Sequence, residues 1–183
     1  MKRLILVAIC ALGALSFSNA QERVVFGIKG GGNYAMFRGE DSDNFDSKVD
    51  FHLGFVALAR LSEKWAIQPE FLYTSQGTTI TENNIDFDVD VDYLAVPVLL
   101  KYYITDNFSV EAGPQLGLLV NDKLEGRDID AEIFDLSANL GLGYQLENGL
   151  FFQARYNMGF TDVFQMLEVN NSVFQLSVGY LFL

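Results

Sequence analysis

The sequence predicts an all-β protein, an eight-stranded antiparallel up-and-down transmembrane β-barrel. Three short polar turns alternate with four longer, mostly acidic loops, and the segments between them alternate apolar residues with small or polar ones. The turns cover residues 62–64, 105–107 and 147–149. Short turns at one end and long loops at the other are typical of outer-membrane barrels, in which the turns face the periplasm.

The first 20 residues have the three parts of a secretory signal peptide. Lys2 and Arg3 supply the positive start, residues 4–17 are apolar, and the segment ends in the small residue Ala20. The apolar run is shorter than the ~20 residues needed to span a bilayer, which favours a cleaved signal over a membrane anchor. We therefore expect residues 1–20 to be removed and residues 21–183 to form a barrel domain in the outer membrane.

Charge and cysteine content exclude several classes of function. The single cysteine, Cys10, lies in the predicted signal, so the mature chain has no thiol for a disulfide, a soft metal or a nucleophile. Removing Lys2 and Arg3 from 12 basic residues leaves 10 against 24 acidic residues, a formal charge of −14. Nucleic-acid binding requires a basic face, so we expect no nucleic-acid partner.

The predicted strands follow one another with period-two alternation. They cover residues 24–37, 49–61, 65–79, 88–104, 108–120, 134–146, 150–162 and 172–182. Eight strands, an even number, place both termini at the periplasmic end. Aromatic residues cluster toward both strand ends, as two interfacial girdles should. The periplasmic girdle would contain Trp65, Tyr102, Tyr144, Tyr180 and Phe182, and the outer one Phe37, Phe51, Tyr93, Phe134 and Phe160.

The first two strands contain features that resemble active-site motifs. Residues 30–32 are three glycines, but no helix follows them, so they predict a thin strand beside a crowded lumen and not a phosphate-binding loop. In the second strand Phe51 and Leu53 face outward, so His52, the only histidine, faces the upper lumen. A Ser-His-acid site that cleaves lipids should open toward the bilayer instead. We expect no catalytic residue, cofactor or metal centre, and no enzymatic activity.

The fourth strand contains an irregularity. Its even positions are apolar from Leu94 to Tyr102, but Asp88, Asp90 and Asp92 precede them in the same parity. If even positions face outward throughout, these aspartates lie above the hydrocarbon and residues 94–102 span it, close to the ~9–11 residues a tilted strand needs. We expect a solvated strand extension. A cation-binding rim is the alternative, although acids spaced by two on one strand lack the loop geometry of a calcium site.

The last three strands show the alternation most clearly. In the eighth, Phe174, Leu176 and Val178 lie on one face, while Gln175 and Ser177 lie on the other. The polar face of these strands consists mostly of Gly, Ser, Asn and Gln with few charges. That composition suits a crowded lumen better than the solvated exterior of a soluble barrel, so the apolar face should contact lipid.

Six charged residues face the lumen by the same alternation: Lys29, Arg60, Glu70, Lys101, Glu111 and Arg155. Four of them occupy strands two to five in alternating sign. Because neighbouring strands are about 4.8 Å apart, these four could form a ladder of ion pairs that Lys29 and Arg155 close across the lumen. Such a network would plug the barrel, since eight strands leave an interior only wide enough for its own side chains. The alternative is the selectivity filter of a narrow small-solute channel.

Acidic residues gather on the loop side of the barrel, both within the predicted extracellular loops, which cover residues 38–48, 81–87, 121–133 and 164–171, and in the strand residues beside them. They are Glu40, Asp41, Asp43, Asp46, Glu82, Asp86, Asp88, Asp90, Asp92, Asp122, Glu125, Asp128, Asp130, Glu132 and Asp135. The same loops contain apolar residues that could contact a partner, namely Phe45, Phe164, Met166 and Leu167. We expect a monomer whose partners are outer-membrane lipid and lipopolysaccharide, and an envelope protein is the further partner that the assembly alternative would add.

Four stretches carry a family resemblance: GIKGGGNYA (27–35), QPEFLYTSQG (68–77), YLAVPVLLKYYI (93–104) and EAGPQLGLL (111–119). They resemble the porin-family outer-membrane β-barrel domain abundant in Bacteroidetes, which includes PorT-like proteins. The resemblance covers essentially the whole mature chain and implies an OmpX/OmpA-like architecture, but it is not specific for a function. Ala95 departs from it, since the family often has an inward glutamate there.

These observations predict an integral outer-membrane barrel with a structural or surface-interaction role through its acidic extracellular loops. The first alternative is a subunit of a PorT-like secretion or envelope assembly, as the resemblance implies. The second is a narrow small-solute channel, which the size of an eight-stranded lumen disfavours.

Overall fold

The strands of this protein form one continuous antiparallel sheet. The computed structural model describes residues 24–38, 45–47, 49–82, 85–123, 134–164 and 167–183. The strands are β1 (Val24–Arg38), β2 (Phe45–Ser47), β3 (Val49–Arg60), β4 (Trp65–Glu82), β5 (Ile85–Tyr103), β6 (Phe108–Lys123), β7 (Phe134–Gln145), β8 (Leu150–Phe164) and β9 (Leu167–Leu181). None of the described residues belongs to a helix that could cross a membrane.

The sheet closes on itself. Each strand pairs with the next along the wall, and the pairs β1–β9 and β4–β5 complete the circle. The short β2 is not a separate wall strand, because it pairs with β4 beyond the residues that β3 uses, Ser47 opposite Thr78 and His52 opposite Thr74. The wall therefore has eight strand positions, and the predicted eight-stranded antiparallel barrel is confirmed.

Tight turns connect the strands at one end of the barrel. The Leu61 N–H donates to the Trp65 carbonyl at 2.8 Å across the first turn. In the third turn Gly149 has a φ of 91°, the left-handed region that favours glycine. The C-terminus lies at this end too, since the Leu181 N–H donates to the Gly149 carbonyl at 2.8 Å. In this fold class the turn end is the periplasmic end.

The two faces of the wall are inside-out relative to a soluble barrel. Leu140 and Leu176 point outward and are 57% and 56% exposed. Their neighbours Asn139 and Gln175 point inward and are 2% and 3% exposed. An exposed apolar exterior around a buried polar interior is stable only where lipid covers the outside.

The strands are longer at the loop end than the sequence pattern predicted. Expected loops at 81–87 and 164–171 are mostly strand, because Glu82 pairs with Ile85 and Phe164 pairs with Leu167. Alternating β-branched and acidic residues form a ladder there whose backbone hydrogen bonds outweigh the loop-like composition. The expected loops at 38–48 and 121–133 lie mostly outside the described residues, as do the side chains of Phe45, Phe164, Met166 and Leu167.

A bulge interrupts the β5–β6 pair where the acidic row begins. Asp92 is opposite Asn121 while Tyr93 is opposite Leu119, so Val120 is an extra residue. Tyr93 was expected in the outer aromatic girdle, but its ring lies inside the barrel. If the inward-facing Gly117 had a Cβ, that atom would lie 3.6 Å from the Tyr93 ring. The correction follows from strand parity, because Tyr93 shares the inward face of Ala95.

The glycines of β1 serve the seam where the barrel closes. A Cβ on Gly31 would overlap the Leu176 carbonyl of β9, so the backbones approach too closely there for a side chain. The two neighbouring glycines have more room. A Cβ on Gly30 would lie 3.4 Å from the His52 carbonyl oxygen, and a Cβ on Gly32 would lie 3.8 Å from the Asp50 carbonyl oxygen. The sequence predicted a thin strand at residues 30–32 because of crowded lumen side chains. In the structure only Gly31 must lack a side chain, and the reason is the close approach of the β9 backbone.

Candidate functional site

The lumen is filled by side chains in three layers. An apolar layer lies at the turn end and contains Val56, Leu58, Ala66, Tyr103, Phe151 and Leu181. A charged layer lies above it, followed by a layer of neutral polar side chains toward the loops. The layers follow from strand parity, because each inward position lies one step of two residues above the last.

Five charged residues form the middle layer, and we call them the lumen ion cluster: Lys29, Glu70, Lys101, Glu111 and Arg155. Lys29 Nζ lies 3.1 Å from Glu70 Oε2, and Lys101 Nζ lies 3.4 Å from Glu111 Oε2. Arg155 Nη2 lies 2.8 Å from Glu70 Oε1 and 3.0 Å from Glu111 Oε1. One guanidinium therefore bridges both carboxylates.

Two glutamines connect these ion pairs into a closed ring. Gln68 Nε2 donates to Glu70 Oε1 at 2.7 Å, and its Oε1 accepts from Lys101 at 3.0 Å. Gln153 Nε2 donates to Glu111 Oε2 at 2.8 Å, and its Oε1 accepts from Lys29 at 3.1 Å. Arg155 spans the centre of this ring. We call the ion cluster together with Gln68 and Gln153 the lumen ring.

The alternation of the sequence predicts the charged residues of this ring but does not single out its glutamines. The signal was present, because Gln68 stands two residues before Glu70 and Gln153 two residues before Arg155, on the same inward faces. From sequence, uncharged amides on an inward face predict only a filled lumen. A glutamine side chain can accept a hydrogen bond from a lysine and donate one to a glutamate at the same time. Each glutamine of the ring therefore connects a lysine to a glutamate on another strand.

Arg60, the sixth predicted member, lies elsewhere. Its guanidinium lies over the Tyr103 ring, 4.2 Å from the centroid, and the Tyr103 hydroxyl donates to Gln145 Oε1 at 3.1 Å. Arg60 ends β3 and is opposite Ala66, whereas the β3 residue opposite Glu70 is Val56. The expected ladder placed Arg60 on the correct, inward face of the wall. Its position along the barrel axis was wrong, because Arg60 lies at the turn end, below the ion cluster.

The neutral layer is organised around His52. Its Nδ1 lies 2.7 Å from Asn33 Oδ1, and its Nε2 lies 2.8 Å from Ser177 Oγ. Asn33 Nδ2 donates to Thr74 Oγ1 at 2.8 Å, which fixes Asn33 Oδ1 as an acceptor. The proton of neutral His52 is therefore assigned to Nδ1, and Ser177 donates to Nε2. On the opposite wall Gln115, Ser137, Asn139 and Asn157 form a second chain of hydrogen bonds.

The order Ser177, His52, Asn33 matches the hydrogen bonding of a nucleophilic triad. His52 and Asn33 are each 1% exposed and Ser177 is 7% exposed, so a substrate could not approach the hydroxyl without displacing the layer. We interpret the three residues as structural. No group of His, Cys, Asp and Glu able to hold a metal ion occurs within the described ranges.

The predicted cation rim is only partly described. Asp92 is 8% exposed and accepts a hydrogen bond from the outward Tyr73 hydroxyl, as its outward parity requires. The backbones of Asp88 and Asp90 continue β5 opposite Thr79 and Gly77, while their side chains lie outside the described residues. Cation binding by this row stays a prediction.

Comparison with known families gives one match. Residues 18–165 match the family described as the outer membrane protein beta-barrel domain. A comparison with curated proteins finds no match.

Several solved structures share the fold. Ail of Yersinia pestis is 18% identical with a TM-score of 0.58, over 87% of this chain and 99% of Ail. Neisserial surface protein A is 14% identical with a TM-score of 0.62, over 85% of this chain and 96% of that protein. OprG of Pseudomonas aeruginosa is 15% identical with a TM-score of 0.54, over 88% and 97%. Ail has also been crystallised with the heparin analogue sucrose octasulfate.

Proposed function

We propose that this chain, which belongs to the outer membrane protein beta-barrel domain family, is a closed barrel that acts through its loop end and neither transports solutes nor catalyses a reaction. The lumen ring carries this proposal. Its five charged side chains are each at most 4% exposed and bonded across the full width of the interior. With the lumen filled, the surfaces that remain are the lipid-facing wall, the turn end and the loop end, and the loop end is the one with a strongly acidic composition.

The ring argues against the channel alternative. A conducting pore needs polar sites that an ion can enter and leave. Here the polar groups already bind one another, and eight strands leave an interior just wide enough for these side chains. A solute would have to displace Arg155 from two buried carboxylates, which costs several kcal/mol per unpaired ion.

The loop end favours cationic or cation-bridged partners. Its acidic residues, with Asp88, Asp90 and Asp92 among them, give this side of the barrel a strongly negative charge. The sulfated sugar in the Ail complex is a polyanion, which such a surface would repel. We infer that the loops bind lipopolysaccharide through bridging divalent cations, or that they bind a basic protein surface directly.

A conductance measurement tests the closed lumen. Glu70→Ala removes a carboxylate that Lys29, Gln68 and Arg155 share, so the melting temperature should fall. Single-channel current in planar bilayers should stay at the wild-type level, because the remaining side chains still fill the lumen. Glu63→Ala, in the exposed first turn, is the control for glutamate loss. A clear rise in single-channel current for Glu70→Ala would refute the proposal that the lumen is closed.

Crosslinking on intact cells tests the surface role. Recovery of only lipopolysaccharide and abundant neighbouring proteins would support an autonomous surface barrel. This recovery should be lost when Asp88, Asp90 and Asp92 are replaced by Asn. A single stoichiometric protein partner would favour the second function, a subunit of a secretion or envelope assembly. That function rests on the PorT-like resemblance of residues 68–77, 93–104 and 111–119.

A further inference from the structure

Two apolar grooves run along the outer wall on either side of β9. The Gly30 groove has a volume of about 470 Å³ and is lined by residues of β1, β3, β8 and β9. The Ala154 groove has a volume of about 510 Å³ and is lined by residues of β1, β6, β7, β8 and β9. Val178 of β9 borders both, so β9 forms the ridge between them.

Each groove exists because one small outward residue stands between two large ones. Gly30 is opposite Leu53 on β3 and Val178 on β9. Ala154 is opposite Leu142 on β7 and Leu176 on β9. Because neighbouring strands are about 4.8 Å apart, the side chains that flank Gly30 or Ala154 stand about 10 Å apart, and at these two positions the gap is one strand wide. A single hydrocarbon chain fits a gap of that width.

Both grooves lie in the periplasmic half of the wall. At the turn end the Gly30 groove reaches Leu150 and Tyr180, and the Ala154 groove reaches Phe108 and Tyr144. Toward the loops they extend to residues 30 and 31, the middle of β1. The grooves therefore run from the periplasmic aromatic girdle to about the centre of the membrane.

We propose that each groove holds one acyl chain of a phospholipid from the periplasmic leaflet. The outward side chains of the lining are apolar and lie at hydrocarbon depth, while polar lining residues such as Lys29 and Gln153 point into the lumen, so acyl chains are the groups that cover the grooves. A chain in a groove contacts a floor and two walls, and buries more of its surface than a chain on a flat wall does. Lipopolysaccharide occupies the other leaflet, which the grooves do not reach within the described residues.

Filling the grooves tests the proposal. Protein reconstituted in phosphatidylethanolamine vesicles and extracted in mild detergent is analysed by native mass spectrometry. Gly30→Leu and Ala154→Leu should each retain about half of the phospholipid that the wild type retains, because one of two grooves is filled. Gly32→Leu is the control, an outward glycine on the same strand that lines neither groove and has room for a Cβ. Migration of unheated samples on gels checks that each variant is folded.

A measurement on the wild type does not depend on the variants folding. Phosphatidylethanolamine with a photoreactive group on its acyl chain should crosslink to Leu53, Val178 and Leu176 in preference to Val98 and Leu118 on the opposite wall. Equal labelling of both walls would overturn the proposal. So would equal lipid retention by all variants, retention of added lipopolysaccharide in place of phosphatidylethanolamine, or dimers held by these faces with no bound lipid.

Discussion

Replacement of Arg155 by methionine tests whether the lumen ring stabilises the barrel. The substitution removes the guanidinium that donates to both Glu70 and Glu111 and leaves a side chain of similar length in its place. The wild-type cluster has three cations and two carboxylates, and the two lysine–glutamate pairs that remain leave it neutral. Breaking a buried ion pair costs about 3–5 kcal/mol, and we expect the lower end, about 3 kcal/mol, because both carboxylates keep a partner.

The assay is urea unfolding in phospholipid vesicles, followed by the fluorescence of Trp65, the only tryptophan. A loss of about 3 kcal/mol lowers the ratio of folded to unfolded protein about a hundredfold. Arg60→Met is the matched control, because its guanidinium contacts an aromatic ring, an interaction of roughly 0.5–1 kcal/mol at a half-exposed site. If the two variants lose equal free energy, or Arg155→Met loses less than Arg60→Met, the ring does not stabilise the barrel and our reasoning is wrong.

Three further substitutions have defined outcomes. Gly31→Ala should leave most of the protein unfolded, because its Cβ overlaps the β9 backbone, while Gly32→Ala folds normally; the heat-modifiable shift on gels measures both. Gln68→Leu should lower the free energy of unfolding by roughly 1–3 kcal/mol, because a lysine and a glutamate of the ring each lose a bond; urea unfolding that matches wild type would contradict this. Gly149→Ala should cost more than about 1 kcal/mol, because the new residue has a left-handed φ and its Cβ overlaps the Leu181 carbonyl; urea unfolding measures this, with Glu63→Ala in the first turn for comparison.

Period-two alternation predicted which face each residue occupies but not its height in the barrel. The face depends only on neighbours along one strand, so Glu70 and Arg155 could be placed in the lumen from sequence. Height depends on the register of every strand around the circle, which a single strand does not encode. Arg60 shows the difference, because it faces inward yet lies at the turn end beside Tyr103.

Strand ends at the loop side were the other part that sequence did not resolve. Residues 85–92 alternate acids with apolar residues, and the sequence pattern predicts strand only from residue 88, with residues 81–87 as a loop. In the structure they pair with β4 as far as Glu82. Pairing adds backbone hydrogen bonds that no composition reports, so the hairpin extends beyond the membrane as strand.

The lumen ring also constrains the order in which the barrel assembles. Its members come from β1, β4, β5, β6 and β8, and the bond between Lys29 and Gln153 joins residues 124 positions apart. Until the first and last strands meet, the charges of the remaining strands have incomplete partners and must stay hydrated, since unpaired ions are costly in a dry interior. Water should therefore leave the lumen only as β1 and β9 close, which makes drying and closure one late cooperative event. Contacts this distant in sequence form slowly, so we expect barrel closure to be the slowest step of insertion.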